Sequence, residues 1–259
     1  MSTISANTLF HFTRKKDTLI NILKTKFYPR LCLEDNFIFS NKSHKIAYPM
    51  VCFCDIPLSQ IKNHTNTYGK YAIGLKKKWA IRKGVTPILY THKDSLIAKN
   101  LRLNHSDIYQ ILEKFPKVAQ IPNLWNSLLY TSFFIKPYRG KQKNSNITFY
   151  DEREWRYTLP RNIFIDQLER IVKDGNTNAF LSEDEYKNES IKQSVDRNNE
   201  QYGLDFTPKD INYIIVENET EILEILREVR RIKNPLYSQD DVELLSTRII
   251  PMERIEQDF

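Results

Sequence analysis

The sequence predicts an α+β fold, in which helices flank a mixed and mainly antiparallel central sheet. Two observations support this fold class. Short apolar runs typical of buried strands recur along the chain, and stretches with helical periodicity lie between them. Strands and helices follow one another irregularly rather than as a strand–helix repeat, which is typical of α+β proteins. The 259 residues are 41% hydrophobic, enough to bury a core, and we expect one domain over residues 1–259.

The first half of the chain begins with a predicted strand and helix. Residues 8–13 (TLFHFT) form a short apolar run, and residues 17–26 carry Leu19, Ile22 and Leu23 on one helical stripe. Further predicted elements are strands at 50–54, 70–75 and 86–90, a capped turn and short helix from Asp55 through His64, helices at 94–115 and 122–134, a polar loop at 140–146, and one or two strands within 147–158.

The second half contains the clearest helix. Over residues 219–232, Ile222, Ile225 and Val229 share one stripe, with acidic residues early and arginines late, as the helix dipole favours. The apolar run 211–216 (INYIIV) predicts a buried strand, and a helix at 240–246 and a strand at 247–250 follow. Residues 182–201 have few apolar side chains, which favours either a surface helix or a mobile, partly disordered segment.

Composition and motifs exclude several classes. The chain has no long apolar segment and no secretory signal, so we expect no membrane association and a cytoplasmic location. Its three cysteines, Cys32, Cys52 and Cys54, lack CxxC spacing, which indicates a reducing compartment and no metal site. With six glycines and no P-loop or GxGxxG motif, neither a P-loop ATPase nor a Rossmann unit is supported.

Charge is unevenly distributed. Residues 1–150 hold 24 Lys and Arg against seven Asp and Glu, a net +17, whereas residues 151–259 hold 15 against 25, a net −10. A basic half favours an anionic ligand such as a nucleotide, a nucleic acid or an acidic protein. Alternatively, the two halves pack together and their fields cancel.

Two candidate patches lie in the basic half. In His11-Phe12-Thr13, a histidine near a threonine offers donors and acceptors to a sugar hydroxyl or an amide, although a half-buried structural histidine gives the same pattern. In the second patch, His64 and Tyr68 share a helix face if the helix extends that far, and Tyr68 and Tyr71 offer rings for stacking. A core strand followed by a capped helix is the structural alternative.

The third patch is Glu152-Arg153-Glu154-Trp155-Arg156-Tyr157. Strand alternation places Glu152, Glu154 and Arg156 on one face. A carboxylate held beside an arginine can bind a ribose hydroxyl and stabilise an oxocarbenium-like transition state. A charge ladder on an exposed strand is the structural alternative.

Together, the HFT start, the PMVCFCDIPLS block and the EREWRY block resemble the abortive-infection family AbiGi over most of residues 9–250. The members of this family are bacterial phage-resistance proteins, described as antitoxins of a two-gene system. The resemblance implies a role in antiviral defence and a cognate toxin or antitoxin as partner, and it supplies no established catalytic residue.

The run HFTRxxxxLxxIL is also similar to the entry motif of ADP-ribosyltransferases of the PARP and DarT type. This likeness implies an ADP-ribosyltransferase-like fold with NAD as substrate. By it, His11 and Thr13 match NAD-binding positions, Glu154 matches the glutamate of a later strand, with Glu152 next, and Tyr68 or Tyr71 would stack on nicotinamide. Our candidate site therefore has Glu154 and His11 as catalytic residues, and His11, Thr13, His64, Tyr68, Tyr71 and Arg156 as cofactor-binding residues.

Three functional hypotheses follow. The first is an anti-phage protein that binds NAD or a related nucleotide and cleaves the N-glycosidic bond to nicotinamide. The second is a non-catalytic antitoxin or regulator that binds a partner toxin or nucleic acid. The third is a nuclease, which ranks last because Asp151, Glu152 and Glu154 have no matching lysine in the sequence nearby.

Overall fold

The structure is a computed structural model that describes residues 7–39, 44–115, 120–142, 145–174 and 179–258. Within these residues, none of the helices is long and apolar enough to span a lipid bilayer. The strands are β1 (Thr8–Thr13), β2 (Arg30–Asp35), β3 (Lys45–Cys54), β4 (Tyr71–Lys76), β5 (Thr86–Pro87), β6 (Leu89–Thr91), β7 (Ile135–Pro137), β8 (Arg139–Gln142), β9 (Ser145–Thr148), β10 (Glu154–Thr158), β11 (Leu181–Ser182), β12 (Ile211–Val216) and β13 (Ile249–Pro251).

The α-helices surround these strands. They are α1 (Lys16–Lys24), α2 (Lys62–Tyr68), α3 (Lys77–Arg82), α4 (Leu96–Lys114), α5 (Gln120–Ser132), α6 (Arg161–Asp174), α7 (Glu183–Lys187), α8 (Glu189–Asn198), α9 (Ile222–Lys233), α10 (Gln239–Ser246) and α11 (Met252–Asp258).

Nine strands form one open sheet, with β13-β12-β4-β1-β3-β10-β5 as its main path and with β2 and β11 also paired to β3. Only β12 and β13 pair in parallel; the other pairs of this sheet within the described residues are antiparallel. Two small sheets accompany it, the parallel pair β6–β7 and the antiparallel pair β8–β9. The predicted α+β class, with a mixed and mainly antiparallel sheet, is confirmed.

Helices cover both faces of this sheet. On one face, α1, α9 and α10 bury residues such as Leu23, Val229 and Leu245 against the alternate strand residues that include Leu9 and Ile73. On the other face, α11 contributes Met252 and Ile255 to a smaller apolar cluster. Alternation along each strand supplies both faces, because neighbouring side chains point to opposite sides.

The pairing of strand β3 shows where a gap lies in the sheet. One of its edges pairs with β10 and β11, and the other pairs with β2 at its start and with β1 at its end. Met50 is the last residue of β3 that pairs with β2, and Cys54 is its point of pairing with β1. Between them, the edge at Val51, Cys52 and Phe53 faces a gap, and the gap lies where β1 and β3 diverge.

Several predicted segments differ in detail from the structure. The strand expected at 86–90 is split into β5 and β6, which pair with different partners, β10 and β7. The loop expected at 140–146 contains the ends of β8 and β9, with residues 143–144 outside the described residues. The segment 182–201 forms helices α7 and α8, the surface-helix alternative. The run 147–158 contains the end of β9, a 3₁₀ turn and β10.

Candidate functional site

A cavity of about 870 Å³ occupies the gap beside β3. Its walls come from β1, β2 and β3, from helix α2, and from the segments around β7, β8 and β10. Four of the seven predicted site residues line it, namely His11, His64, Tyr68 and Glu154. These residues are spread over much of the sequence, and the sheet topology brings them to one place.

His11 lies on β1 just beyond its one point of pairing with β3. Its Nδ1 is 2.8 Å from the main-chain carbonyl of Cys52, so the neutral ring donates from Nδ1 and leaves Nε2 as an acceptor. Phe27 and Phe53 pack edge-on against the imidazole. Burial lowers the pKa of His11, and the hydrogen bond to the Cys52 carbonyl opposes this only in part. The ring is therefore neutral at physiological pH.

Helix α2 supplies an aromatic wall. The imidazole of His64 packs against the Tyr68 ring, with 4.4 Å between ring centroids, and against Phe12 at 5.0 Å. His64 and Tyr68 thus share one face of α2, as their spacing of four residues predicts. Gly69 ends the helix with a φ of +103°, and a Cβ there would lie 2.4 Å from the Thr13 carbonyl oxygen. Glycine thus allows α2 to end directly against β1.

The two glutamates that line the cavity belong to different secondary-structure elements. Glu154 begins strand β10, whereas Glu152 ends a 3₁₀ turn over Phe149–Glu152, so the predicted strand alternation of Glu152 with Glu154 and Arg156 is wrong for Glu152. Arg153 between them has a φ of +45°, a left-handed conformation that is uncommon for residues other than glycine. Both carboxylates are nevertheless buried and line the same cavity.

A buried charge network forms the floor of the cavity. The Lys136 ammonium donates to Glu152 at 2.7 Å and to Glu154 at 3.1 Å, and Arg156 Nε donates to Glu154 at 2.6 Å. Arg156 is 0% exposed and also donates to the Tyr48 hydroxyl and, through Nη2, to Glu34 at 3.3 Å. Three carboxylates face two cations, so these five side chains carry a net charge of −1.

Neighbouring charges keep Glu154 and Lys136 ionised. Burial by itself would raise the pKa of Glu154, but the Arg156 guanidinium and the Lys136 ammonium overcome it and hold that pKa well below its usual range. Burial disfavours the charged form of Lys136, yet Glu154, Glu34 and Glu152 raise its pKa well above the usual value. Glu154 is consequently a carboxylate, and Lys136 an ammonium, at any pH near neutrality.

The Tyr68 hydroxyl and the His64 imidazole on the aromatic wall are both neutral near pH 7. The Tyr68 hydroxyl donates to Glu152 at 2.5 Å, and burial together with the Glu152 charge raises the pKa of Tyr68. Burial and the nearby Lys136 charge lower the pKa of His64 to about 4. The aromatic wall therefore adds no charge to the acidic floor.

The rim of the cavity is basic. Lys45, Lys93, Arg139 and Lys141 line it and are exposed. Lys45 pairs with Glu183 and Lys93 with Asp35, but Arg139 and Lys141 have no carboxylate within ion-pair distance among the described residues. An acidic floor beneath a rim with two unpaired cations is the main electrostatic feature of the site.

The other three predicted site residues lie outside the cavity wall as far as the described residues define it. Thr13 ends β1 opposite Tyr71. The Tyr71 hydroxyl donates to Glu221 at 3.0 Å, on the side of the sheet covered by α9. Arg156 lies behind the cavity wall and contacts two residues that line the cavity, Glu154 and Glu34.

Sequence reasoning did not identify Lys136 and Glu34. Lys136 follows Phe133-Phe134-Ile135 and precedes Pro137, and a lone lysine in an apolar run is a signal of a buried, paired ammonium. The nuclease hypothesis ranks last because no lysine lies near Glu152 and Glu154 in the sequence. In the folded protein this expectation is wrong, because Lys136 contacts both glutamates. Lys136 binds both glutamates itself, however, and the described residues contain no cluster of His, Cys, Asp or Glu able to hold a metal ion.

A curated relative from Lactococcus lactis subsp. cremoris, "Abortive phage resistance protein AbiGi", is 27% identical over 227 residues, which cover 82% of this chain and 88% of the relative. A "tRNA (guanine-N(7)-)-methyltransferase" from Mycoplasmopsis synoviae (strain 53) is 29% identical over 146 residues, 50% of this chain and 69% of that protein. No solved structure matches.

The family comparison covers the candidate site. The family model described as "Putative abortive phage resistance protein AbiGi, antitoxin" matches residues 25–217. This range includes α2, Lys136 and both glutamates, and it leaves out His11. Because the match extends over most of the sequence and a curated member aligns over 82% of it, the chain belongs to the AbiGi family of abortive phage resistance proteins.

Proposed function

We propose that this AbiGi-family protein binds NAD in the cavity beside β3 and cleaves its bond to nicotinamide as part of anti-phage defence. The observation that carries the proposal is the meeting of His11, Tyr68 and Glu154 in one cavity with an acidic floor and a basic rim. NAD has a positively charged pyridinium ring at one end and a negatively charged diphosphate in its middle. The acidic floor is suited to the pyridinium ring, and the basic rim is suited to the diphosphate.

The dimensions agree with a ligand of this class. Ligand cavities in proteins are typically about 300–1,000 Å³, and this one is about 870 Å³. The rings of Phe12, His64 and Tyr68 form an aromatic wall on which a flat nicotinamide ring can stack. Arg139 and Lys141 at the rim are the cations available to a diphosphate.

The chemistry is carried by Glu154 and His11. As the bond between ribose C1′ and the nicotinamide nitrogen breaks, its electron pair leaves with neutral nicotinamide and the ribose becomes an oxocarbenium-like cation. The ionised Glu154 carboxylate stabilises this developing charge in a partly desolvated site. Nε2 of neutral His11 accepts a hydrogen bond from a ribose hydroxyl. Attack at C1′ by water, with loss of a proton, gives ADP-ribose.

A nucleic acid or a protein can replace water as the acceptor. One of the curated relatives has a name that refers to tRNA. We therefore include tRNA as an acceptor, and covalent modification of tRNA is the outcome that would make the protein a transferase rather than a glycohydrolase.

The test is release of nicotinamide from NAD by the purified full-length protein, alone and with tRNA or cell protein as acceptor. Glu154→Gln is expected to lower the rate roughly 100-fold or more, since it removes the charge that the transition state needs. Glu224→Gln, on the exposed face of α9, is the matched control and should leave the rate unchanged. Absence of release by folded wild-type protein under all three conditions would refute the activity.

Glu154→Gln removes the buried carboxylate that pairs with Arg156, so the variant is checked for folding by its melting temperature. A second variant avoids this difficulty. Arg139→Ala combined with Lys141→Ala changes two exposed side chains, and we expect it to raise KM for NAD by about tenfold or more with little change in melting temperature.

Binding of a cognate toxin is a second candidate function, favoured by an exposed apolar surface on α4 and α5. Leu96, Leu103, Phe115 and Leu124 are 85%, 62%, 56% and 57% exposed. Exposed apolar patches commonly mark protein interaction sites. The family description names an antitoxin, and we infer that the occupant of this surface is the toxin of the two-gene system.

Co-expression tests this second function. If the protein neutralises the product of the adjacent gene, Leu96→Glu with Leu103→Glu should abolish the rescue of growth. Leu236→Glu, at a similarly exposed leucine between α9 and α10, is the control that should preserve rescue. Unchanged rescue by the double variant would exclude this surface as the toxin-binding site.

A further inference from the structure

We propose that Lys136 is a positioning residue that holds Glu152 and Glu154 together in the orientation used for glycosidic cleavage, an inference that rests on the proposed function. Its ammonium lies 2.7 Å from Glu152 Oε2 and 3.1 Å from Glu154 Oε2. It is 8% exposed, and the ring of Phe149 lies 4.8 Å from its Nζ. No sequence motif and no family description assigns a role to this residue.

The small sheet β6–β7 holds two residues that contact Glu154. Tyr90 on β6 lies opposite Lys136 on β7. While Lys136 binds the two carboxylates, the Tyr90 hydroxyl accepts a hydrogen bond from the main-chain N–H of Glu154 at 2.9 Å. The same sheet therefore fixes both the side chain and the backbone of Glu154 at the start of β10.

The position of Lys136 offsets the repulsion between the carboxylates of Glu152 and Glu154. Two buried carboxylates two residues apart repel each other, and burial by itself would raise the pKa of Glu154. A single ammonium between them removes the repulsion and supplies hydrogen bonds to both. Arg156 neutralises Glu154 from the opposite side but does not contact Glu152 in the described structure, so only Lys136 connects the two.

Tyr68 extends the chain of contacts toward the aromatic wall. Its hydroxyl binds Glu152, which binds Lys136, which binds Glu154. Through this sequence of contacts, Lys136 sets the distance between the ring that would stack on nicotinamide and the carboxylate that would face ribose C1′. Its loss should affect the transition state more than ground-state binding.

The first experiment compares Lys136→Met with Lys136→Arg in nicotinamide release. We expect Lys136→Met to lower kcat by roughly tenfold or more with a smaller effect on KM, because positioning acts on the transition state. Its activity should also rise with pH in a range where wild-type activity is flat, and Lys136→Arg should restore part of kcat. Lys209→Met, at an exposed lysine that pairs with Asp241, is the control. Unchanged kcat and an unchanged pH profile in Lys136→Met would overturn the inference.

A second experiment separates this inference from the proposed function. Carboxyl carbon NMR of protein labelled at glutamate, assigned with Glu154→Gln, follows the protonation of Glu154 without any substrate. In wild type the signal should stay constant between about pH 5 and 8, and in Lys136→Met it should move within that range. A signal that stays constant in both proteins contradicts the role of Lys136 even if NAD is cleaved. A signal that moves only in the variant supports the role even if NAD is not the substrate.

Discussion

The Nδ1 of His11 lies 2.8 Å from the main-chain carbonyl oxygen of Cys52, across the gap where β1 and β3 part. The imidazole donates to a carbonyl at the edge of β3 that, in a fully paired sheet, accepts a hydrogen bond from the neighbouring strand. It fixes the ring in one tautomer and leaves Nε2 as the acceptor. One contact thus both satisfies a carbonyl at the unpaired edge of β3 and fixes the orientation of the imidazole.

Replacement of His11 by alanine should therefore lower stability as well as activity. The variant loses the hydrogen bond to Cys52 and the packing against Phe27 and Phe53, and we expect the free energy of unfolding to fall by about 1–3 kcal/mol. Urea denaturation measures this. A variant as stable as wild type would mean that the imidazole does not support the sheet edge.

Gly69 should tolerate no side chain. In Gly69→Ala the Cβ would lie 2.4 Å from the Thr13 carbonyl oxygen, so α2 must move away from β1 together with His64 and Tyr68. Gly84→Ala is the matched control, because Gly84 also has a positive φ, +78°, but has open space around it. We expect a loss of about 1 kcal/mol for Gly84→Ala and at least about 2 kcal/mol for Gly69→Ala. Equal melting temperatures for the two variants would show that the contact with Thr13 is unimportant.

Arg153 adopts a left-handed conformation between the two glutamates. Asparagine accepts this conformation readily and a β-branched residue does not. Arg153→Asn should therefore keep the cavity intact, whereas Arg153→Val should destabilise the protein by about 1–2 kcal/mol more than Arg153→Asn. Comparison of the two melting curves removes the shared loss of the arginine side chain. A valine variant as stable as the asparagine variant would contradict the conformational requirement.

His64 should make stability depend on pH. Its pKa is lowered from 6.5 to about 4 in the folded protein by burial and by Lys136. Below pH 6.5 the unfolded chain binds a proton that the folded protein does not, so the free energy of unfolding decreases as pH falls toward 4. Between pH 7 and 5, His64→Phe should lose about 1–2 kcal/mol less stability than wild type. Denaturation curves at the two pH values give the difference, and identical losses would rule out His64 as the titrating group.

The local part of the site follows from the sequence. The TLFHFT run predicts β1 with His11 on it, and alternation within the EREWRY block predicts that Glu154 and Arg156 share a face. The hydrogen bond of 2.6 Å between Arg156 Nε and Glu154 confirms that expectation. Both features depend on residues that are close in sequence.

The rest of the site depends on long-range pairing, which no local pattern determines. Lys136 reaches Glu154 because β7 pairs with β6, and Glu34 reaches Arg156 because β2 pairs with the edge of β3. The strand β2 has too few buried residues to stand out in the sequence. Tyr68 and Tyr71 are close in sequence and equally aromatic, yet only Tyr68 lines the described cavity, because Tyr68 lies on α2 whereas Tyr71 lies on β4 and donates to Glu221.

Calorimetric titration of NAD into the full-length protein measures the proposed binding without relying on catalysis. We expect saturable binding at one site per chain, weakened by roughly tenfold or more in the variant that combines Arg139→Ala with Lys141→Ala and unchanged in Glu224→Gln. No detectable binding of NAD by folded wild-type protein, or equal binding by the double variant, would contradict the proposed binding.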